Sequence, residues 1–405
     1  MRSLVLAWLL ALTPAAAAAP GPPPSVLPAP VLPSGARIGY VVTDETGTVL
    51  AEQDADQRMV PASTTKLFTT AAALALLGDV TRSDDAAGAT VAFEGADVVL
   101  AGHGDARLSS APNCVTDCLA TLADAVAAAL PNRTVGAVIG DDTAMADERW
   151  PSGMSWDNMA TISGTAVSAL TLDDNLSIAP GLRPQAVQDP ALRAAIVLRT
   201  MLEARGVRVT GPASVRHRSS AAAPSTTPNM LARTIPGPLA DDIALTLRQS
   251  QNLHAELLLR RLSPAGTVAA GRAARDAALA PAALPPGSLS LYDGSGMSSY
   301  DRVTPRALVT LLRWGNAQPW ATLWRAGLPV AGQSGTLKNR LHGTPLEGKL
   351  AAKTGTLMGT QALAGFLTTA RGRTLTFAVL VNDLPEGASA SRFVDALVLD
   401  WAARY

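Results

Sequence analysis

Ser63 and Lys66 stand three residues apart in Pro61-Ala62-Ser63-Thr64-Thr65-Lys66-Leu67-Phe68. Residues three apart on a helix share one face, so this hydroxyl and this amine would meet. A serine with an amine one turn on is a nucleophile paired with its base. The N-terminal end of a helix also favours the negative charge that develops in acyl transfer. Alone, the pair fits equally well a hydroxyl cap followed by a solvated lysine. The chain has only four lysines against a large excess of arginine, which reads as codon bias, so each lysine in a motif carries extra weight.

Two further short motifs follow. Ser250-Gln251-Asn252 sits between two helical segments. Lys353-Thr354-Gly355-Thr356 lies in a strand-like run beside Ala351 and Ala352. Each has a plain structural reading: the first as a helix cap, the second as a solvated edge-strand lysine. Together, Ser-x-x-Lys, Ser-x-Asn and Lys-Thr-Gly occur in that order on helix, loop and strand. This ordered set occurs in penicillin-binding proteins and class A β-lactamases.

The elements that must hold these groups are legible from periodicity. Arg37 to Thr43 and Val49 to Glu52 read as a hairpin turning at Glu45-Thr46-Gly47. The Ser63 helix follows and stops at Gly78. Pro61 precedes it, where a missing N–H costs nothing. Thr90 to Phe93 and Asp97 to Leu100 form a second hairpin. Helices are expected over Cys118 to Leu130 and Ala191 to Arg205, and strands over Val135 to Ile139, Ala166 to Ile178 and Val207 to Val215. Pro238 to Leu262 reads as helices, and Thr304 to Trp314 as another, with Pro305 at its first position. Lys349 to Leu357, Gln361 to Thr369 and Thr374 to Val381 read as three adjacent strands, the last two joined at Arg371-Gly372. The expected organisation is an α+β domain built from residues 35–85 and 235–405. A β-rich insert over residues 86–234 interrupts it, and the Ser/Ala/Pro-rich run Ser219 to Pro228 acts as a linker.

Composition narrows the function classes. A net charge of zero argues against nucleic acid as main partner. Arg2, the apolar run Val5 to Leu12 and the small residues Ala15 to Ala19 read as an export signal over residues 1–19. A Pro-rich linker over 20–34 follows. The signal's apolar run is too short to span a bilayer, and no other stretch is long and apolar enough. The final segment, Ser391 to Tyr405, reads as a core-packed helix. Cys114 and Cys118 fit a disulfide of an exported chain, provided the turn between them is not helical. His103, His217, His254 and His342 lack metal spacing and read as structural or surface residues, so neither metal nor cofactor is expected. Asp293 in Asp293-Gly294-Ser295-Gly296 reads as a turn residue near the site.

Over essentially the whole mature length the chain resembles the S13 peptidases. These are class C low-molecular-mass penicillin-binding proteins, D-alanyl-D-alanine carboxypeptidases and endopeptidases. The resemblance rests on residues 61–66, on Ser250-x-Asn252-Leu253-x-Ala255-Glu256 and on Asp293-Gly294-Ser295-Gly296 with Asp301-Arg302-Val303-Thr304-Pro305. It also rests on Leu328-Pro329-Val330-Ala331-Gly332, on Lys353-Thr354-Gly355, and on the long gap between Lys66 and Ser250. Three places depart from the family pattern. Ser334 precedes Gly335 where an acid is usual, Gly102-His103-Gly104-Asp105 replaces a Gly-Gly-Asp turn, and Trp156-Asp157-Asn158 shifts an acidic residue by one.

The resemblance implies a transpeptidase-like fold, an antiparallel sheet flanked by helices. It implies Ser63 as nucleophile on the bond between two D-alanines of a peptidoglycan stem peptide, acylated also by β-lactams. Lys66 would be the base, its pKa lowered by burial and by Lys353. Ser250 would relay the proton to the leaving amine, and Asn252 would orient Lys66 and hold the substrate amide. The backbone N–H groups of Ser63 and Thr356 would form an oxyanion hole, and Thr354, Gly355 and Thr356 with Lys353 would receive a terminal carboxylate. Asp157 is the candidate contact for a free amine on the stem peptide. Two alternatives stay open from sequence: a β-lactamase or esterase of the same fold, for which no placed glutamate base is seen, and a non-catalytic wall-binding protein.

Overall fold

The structure is a computed structural model that describes residues 31–177, 181–221 and 230–405. The expected export signal, most of the Pro-rich linker and most of the Ser/Ala/Pro-rich run lie outside the described residues.

The main sheet has five strands in the order Leu350–Leu357, Thr360–Thr368, Thr374–Asn382, Arg37–Thr43 and Val49–Gln53. Every neighbouring pair is antiparallel. Arg37 pairs with Asn382 and Thr43 with Thr376, so the two ends of the chain are stitched into one sheet. The period of two decides what each face buries. Leu375, Phe377, Val379 and Val381 enter a core with Val394, Val398 and Trp401 of the terminal helix Ser391–Arg404. Ala378 and Leu380 face the other way, into a core with Leu67, Phe68, Leu308 and Leu311. The result is a sheet with helices on both faces, as expected for the α+β class.

The second core contains the helix Lys66–Leu76, buried from Lys66 to Leu74. A helix apolar all round belongs inside a domain. Its threonines find partners there. Thr69 Oγ1 donates to Gly294 O at 2.7 Å, and Thr70 Oγ1 accepts Trp324 Nε1 at 2.9 Å.

Between the Lys66 helix and Leu239, a second five-stranded sheet runs in the order Ala213–Arg216, Val138–Asp141, Asp97–Ala101, Thr90–Glu94, Met230–Arg233. Two of its pairings are parallel and two antiparallel. The helices Leu119–Ala129 and Pro190–Ala204 pack on it through Leu122, Val126, Leu198 and Leu202. Cys114 and Cys118 are bonded, and Cys118 is the extended residue that caps the Leu119–Ala129 helix.

One expected strand is absent as such. Residues 166–172 are irregular, followed by a 3-10 turn at Asp173–Asn175 and a two-residue strand, Leu176–Ser177. Residues 166–172 are all buried, and they are so without a ladder. The Asn175 side chain accepts from Leu172 N at 3.1 Å and donates to Ala166 O at 2.8 Å, taking over what a neighbouring strand would supply. The helix Val268–Ala278, rich in alanine and arginine, was not anticipated.

Candidate active site

Ser63 lies in a 3-10 turn, Ala62–Thr65, that runs into the α-helix at Lys66. The expected shared face is kept: Lys66 Nζ is 2.9 Å from Ser63 Oγ. Two glycines let other elements close on this turn. A Cβ on Gly296, at φ +81°, would fall 2.0 Å from Ala62 O. A Cβ on Gly355 would fall 2.6 Å from Pro61 O, so the Lys353 strand can lie against the turn only without a side chain there. Ala62 and Ser250 themselves hold positive φ, at 47° and 62°. Backbone strain of this kind persists where the surroundings enforce it, often at functional sites.

Lys66 has two further polar neighbours. Asn252 Oδ1 and Ser295 O each lie 2.6 Å from Nζ. Both are acceptors. Asn252 Nδ2 donates to Ser163 O at 2.7 Å, which fixes the amide with its oxygen towards the lysine. A neutral amine has two N–H donors and one lone pair. Its two donors match Asn252 Oδ1 and Ser295 O, which leaves the lone pair facing the Ser63 hydroxyl.

Burial pulls the Lys66 amine down to about 7 against the upward pull of Asp293, Glu256 and Asp301. Lys353 is fully buried too and is pushed well below the ordinary lysine value by burial and by the charge of Lys66. The expected help from Lys353 in lowering Lys66 therefore falls on Lys353 instead: of two cations sharing a dry site, the less compensated one loses its proton first. Lys353 Nζ donates to Ser250 Oγ at 2.9 Å and to Thr354 O at 2.8 Å. Ser63, Lys66 and Asn252 thus form one hydrogen-bonded group and Ser250 and Lys353 a second, and Ser63, Asn252 and Ser250 line the same cleft.

Beneath them is an acidic network that motif reading missed. Glu256 Oε1 accepts from Gly294 N and Ser295 N, both at 2.9 Å, and Glu256 Oε2 pairs with Arg260 at 2.9 Å. Asp293 accepts from Gly296 N and Ser298 N, both at 2.8 Å, as a turn residue should. Asp301 accepts from Tyr292 N at 2.7 Å and from Thr65 Oγ1 at 3.1 Å. Burial, and after it the Asp293 charge, raise both Glu256 and Asp301. The network fixes the Ser295 carbonyl that touches Lys66. Its sequence signal was the acid in each motif, Glu256 and Asp301.

The cleft that both groups line has a volume of ≈ 1290 Å³. Ser63, Ser250, Asn252, Thr354 and Thr356 line it, together with Met154 to Asn158 and Ser163. Asp157 is exposed on a 3-10 turn, Trp156–Asn158, and faces this cleft. Trp156 is 82% exposed beside it, whereas Trp150 braces the loop by donating to Gly164 O at 3.0 Å. Ser152 and Gly153 are held to the Asp293 loop through Ser298 Oγ at 2.6 Å and Ser299 N at 2.8 Å. Thr336 Oγ1 lies 2.7 Å from Thr354 Oγ1. Ser334, at the family's acidic position, accepts from Val330 N at 3.1 Å, a turn role. The histidines have local partners: His103 meets Thr90, His217 meets Asp142 and Asp189, His254 meets Asp174 and Asp242, and His342 meets Glu347.

Comparison with known proteins adds an independent line. The family model for D-Ala-D-Ala carboxypeptidase 3 (S13) matches residues 26–185 and 179–405. A D-alanyl-D-alanine carboxypeptidase of Actinomadura sp. (strain R39) is 30% identical over 93% of this chain and 82% of its own length. Carboxypeptidase DacB of Mycolicibacterium smegmatis is 33% identical over 90% of this chain and 79% of its own. Among solved structures, penicillin binding protein 4 (dacB) of Haemophilus influenzae matches with a TM-score of 0.78 at 20% identity, covering 92% of this chain and 97% of that one. A crystal structure of the same Haemophilus influenzae protein in complex with a β-lactam has a TM-score of 0.71.

Proposed function

Since the chain belongs to the D-Ala-D-Ala carboxypeptidase 3 (S13) family and is a serine DD-peptidase, we propose that Ser63 is its nucleophile and Lys66 its base. The observation that carries this reading is the position of Lys66 Nζ, 2.9 Å from Ser63 Oγ with both its other neighbours acceptors. Ser63 Oγ attacks the carbonyl between two D-alanines, and its proton passes to the neutral Lys66 amine. The Oγ–C bond forms as the carbonyl becomes an oxyanion, held by the backbone N–H groups of Ser63 and Thr356. The C–N bond then breaks. The proton that Lys66 took from Ser63 passes by way of Ser250, which is hydrogen-bonded to Lys353, to the departing amine, and Lys66 is neutral again. Water attacks the acyl-enzyme and gives its proton back through Lys66, freeing Ser63.

Asn252 aligns Lys66, and Thr354, Gly355 and Thr356 receive the terminal carboxylate. Residues 35–85 and 235–405 make the catalytic domain, and residues 86–234 an insert that shapes access, with Asp157 as its contact for a free amine. The substrates are peptidoglycan stem peptides and their D-Ala cross-links. The signal-like residues 1–19 support export to the cell envelope. Among the described residues, no helix is long and apolar enough to cross a membrane.

The test is release of D-alanine from an N-acylated peptide ending in D-Ala-D-Ala. Wild-type protein releases it, and Ser63→Ala does not. Release by the alanine variant at the wild-type rate contradicts the assignment.

A further inference from the structure

A terminal carboxylate in this cleft needs a cation, and Lys353 is poorly placed to be one. Its Nζ is fully buried and already donates to Ser250 Oγ and Thr354 O. Among the described residues lining the cleft, one side chain is basic, Arg340, and one is acidic, Asp157. Arg340 borders the cleft together with Thr336, Thr354 and Thr356. It also borders the small recess behind them, with Gly355 and Gln361. Its guanidinium is held from behind. Nη2 donates to Asp395 Oδ1 at 2.6 Å and Nε to Asp395 Oδ2 at 3.4 Å, across to the terminal helix. That pairing leaves Nη1 for another acceptor, on a side chain that is 22% exposed. A guanidinium fixed on one edge and open on another is a ready carboxylate ligand.

We propose that Arg340, aimed by Asp395, binds the C-terminal carboxylate of the substrate beside Thr354 and Thr356. The cleft is then a charge-matched slot, with Arg340 for the carboxylate and Asp157 for an amine on the stem peptide. Thr336, within hydrogen-bond distance of Thr354, belongs to the same end. This inference rests on the site reading above and deepens it by naming what selects a free chain end. Arg340 is a binding residue, and Asp395, which acts through it, is a positioning residue.

The test compares two substrates differing only in that charge: an N-acyl-D-alanyl thioester of thioglycolic acid and its methyl ester. The readout is the acid-to-ester ratio of kcat/KM. A charge-assisted hydrogen bond is worth roughly 10- to 100-fold. Arg340→Ala is expected to lower the ratio by that factor, and Arg340→Lys to restore part of it, since charge is kept while the fork is lost. A ratio that stays at the wild-type value in Arg340→Ala, whatever the fall in both rates, overturns the proposal. It would mean that Arg340 only braces the terminal helix. If wild-type protein cleaves neither thioester, the site reading itself fails and takes this inference with it, an outcome visible before any variant is made.

Discussion

Asn252 turns its carbonyl oxygen, and not its amide nitrogen, towards Lys66, at 2.6 Å from Nζ. The reason lies in the insert, where Ser163 O takes the Asn252 Nδ2 donor at 2.7 Å. Asn252→Asp replaces a neutral acceptor with a charge, which favours the ammonium form of Lys66. Acylation by a β-lactam should then shift to higher pH by about one unit, and its rate at pH 7 should fall by about tenfold or more. Stopped-flow acylation across pH checks this. An unshifted profile would mean that Asn252 does not set the state of Lys66.

The wild-type profile has its own sign. Lys66 is held down to about 7, chiefly by burial. A base acts when unprotonated, so acylation should rise with pH through about 7 and level off above it. Lys66→Arg keeps the charge but cannot lose its proton. It should cost about 10³-fold in acylation, with circular dichroism unchanged. Near-normal acylation would assign the activation of Ser63 to another group.

Stability should carry a different pH signature at His254, on the helix that Asn252 begins. Burial alone would lower its pKa, but the carboxylates of Asp174 and Asp242, 3.2 and 3.1 Å away, outweigh that and raise it to about 9. A raised histidine contributes stability in full below its unfolded value of about 6.5, and loses it as pH rises through about 9. His254→Phe should cost roughly 2 kcal/mol at pH 6 and much less at pH 10, read from urea unfolding. An equal loss at both pH values would assign the effect to packing.

How much of this was readable beforehand follows a physical line. The strands Thr360–Thr368 and Thr374–Asn382 were legible because both faces are buried, which leaves short apolar runs bounded by turn residues, and Leu350–Leu357 adjoins them. Ser63, Lys66, Ser250, Asn252 and Lys353 were legible because each motif is short and local; the structure bonds Lys66 to Ser63 and Asn252, bonds Lys353 to Ser250, and sets Ser63, Asn252 and Ser250 on one cleft. Arg340 carried no local signal. It reaches the cleft through a turn, and its partner Asp395 lies 55 residues on. The run from Ala166 looked like a strand because polar and apolar residue types alternate there, but residues 166–172 are all buried, and the Asn175 side chain bonds Leu172 N and Ala166 O in place of a neighbouring strand. Burial was read as a cause that holds Lys66 down, but the upward pull of Asp293, Glu256 and Asp301 depends on where the fold places three carboxylates.

Asp157 offers a test of the insert. It is exposed and lines the same cleft as Ser63. Asp157→Ala should slow turnover of a peptide bearing a free side-chain amine by about tenfold, the worth of one charge-assisted contact. Acylation by penicillin, which lacks the amine, should stay within about twofold. Equal loss in both reactions would make Asp157 structural, and no loss in either would move the contact elsewhere.

The most direct measurement on the central claim is intact mass after incubation with benzylpenicillin, followed by peptide mapping. The account gives one penicilloyl equivalent, on Ser63, and none on Ser63→Ala. An adduct on another residue, or full labelling of the alanine variant, would contradict it.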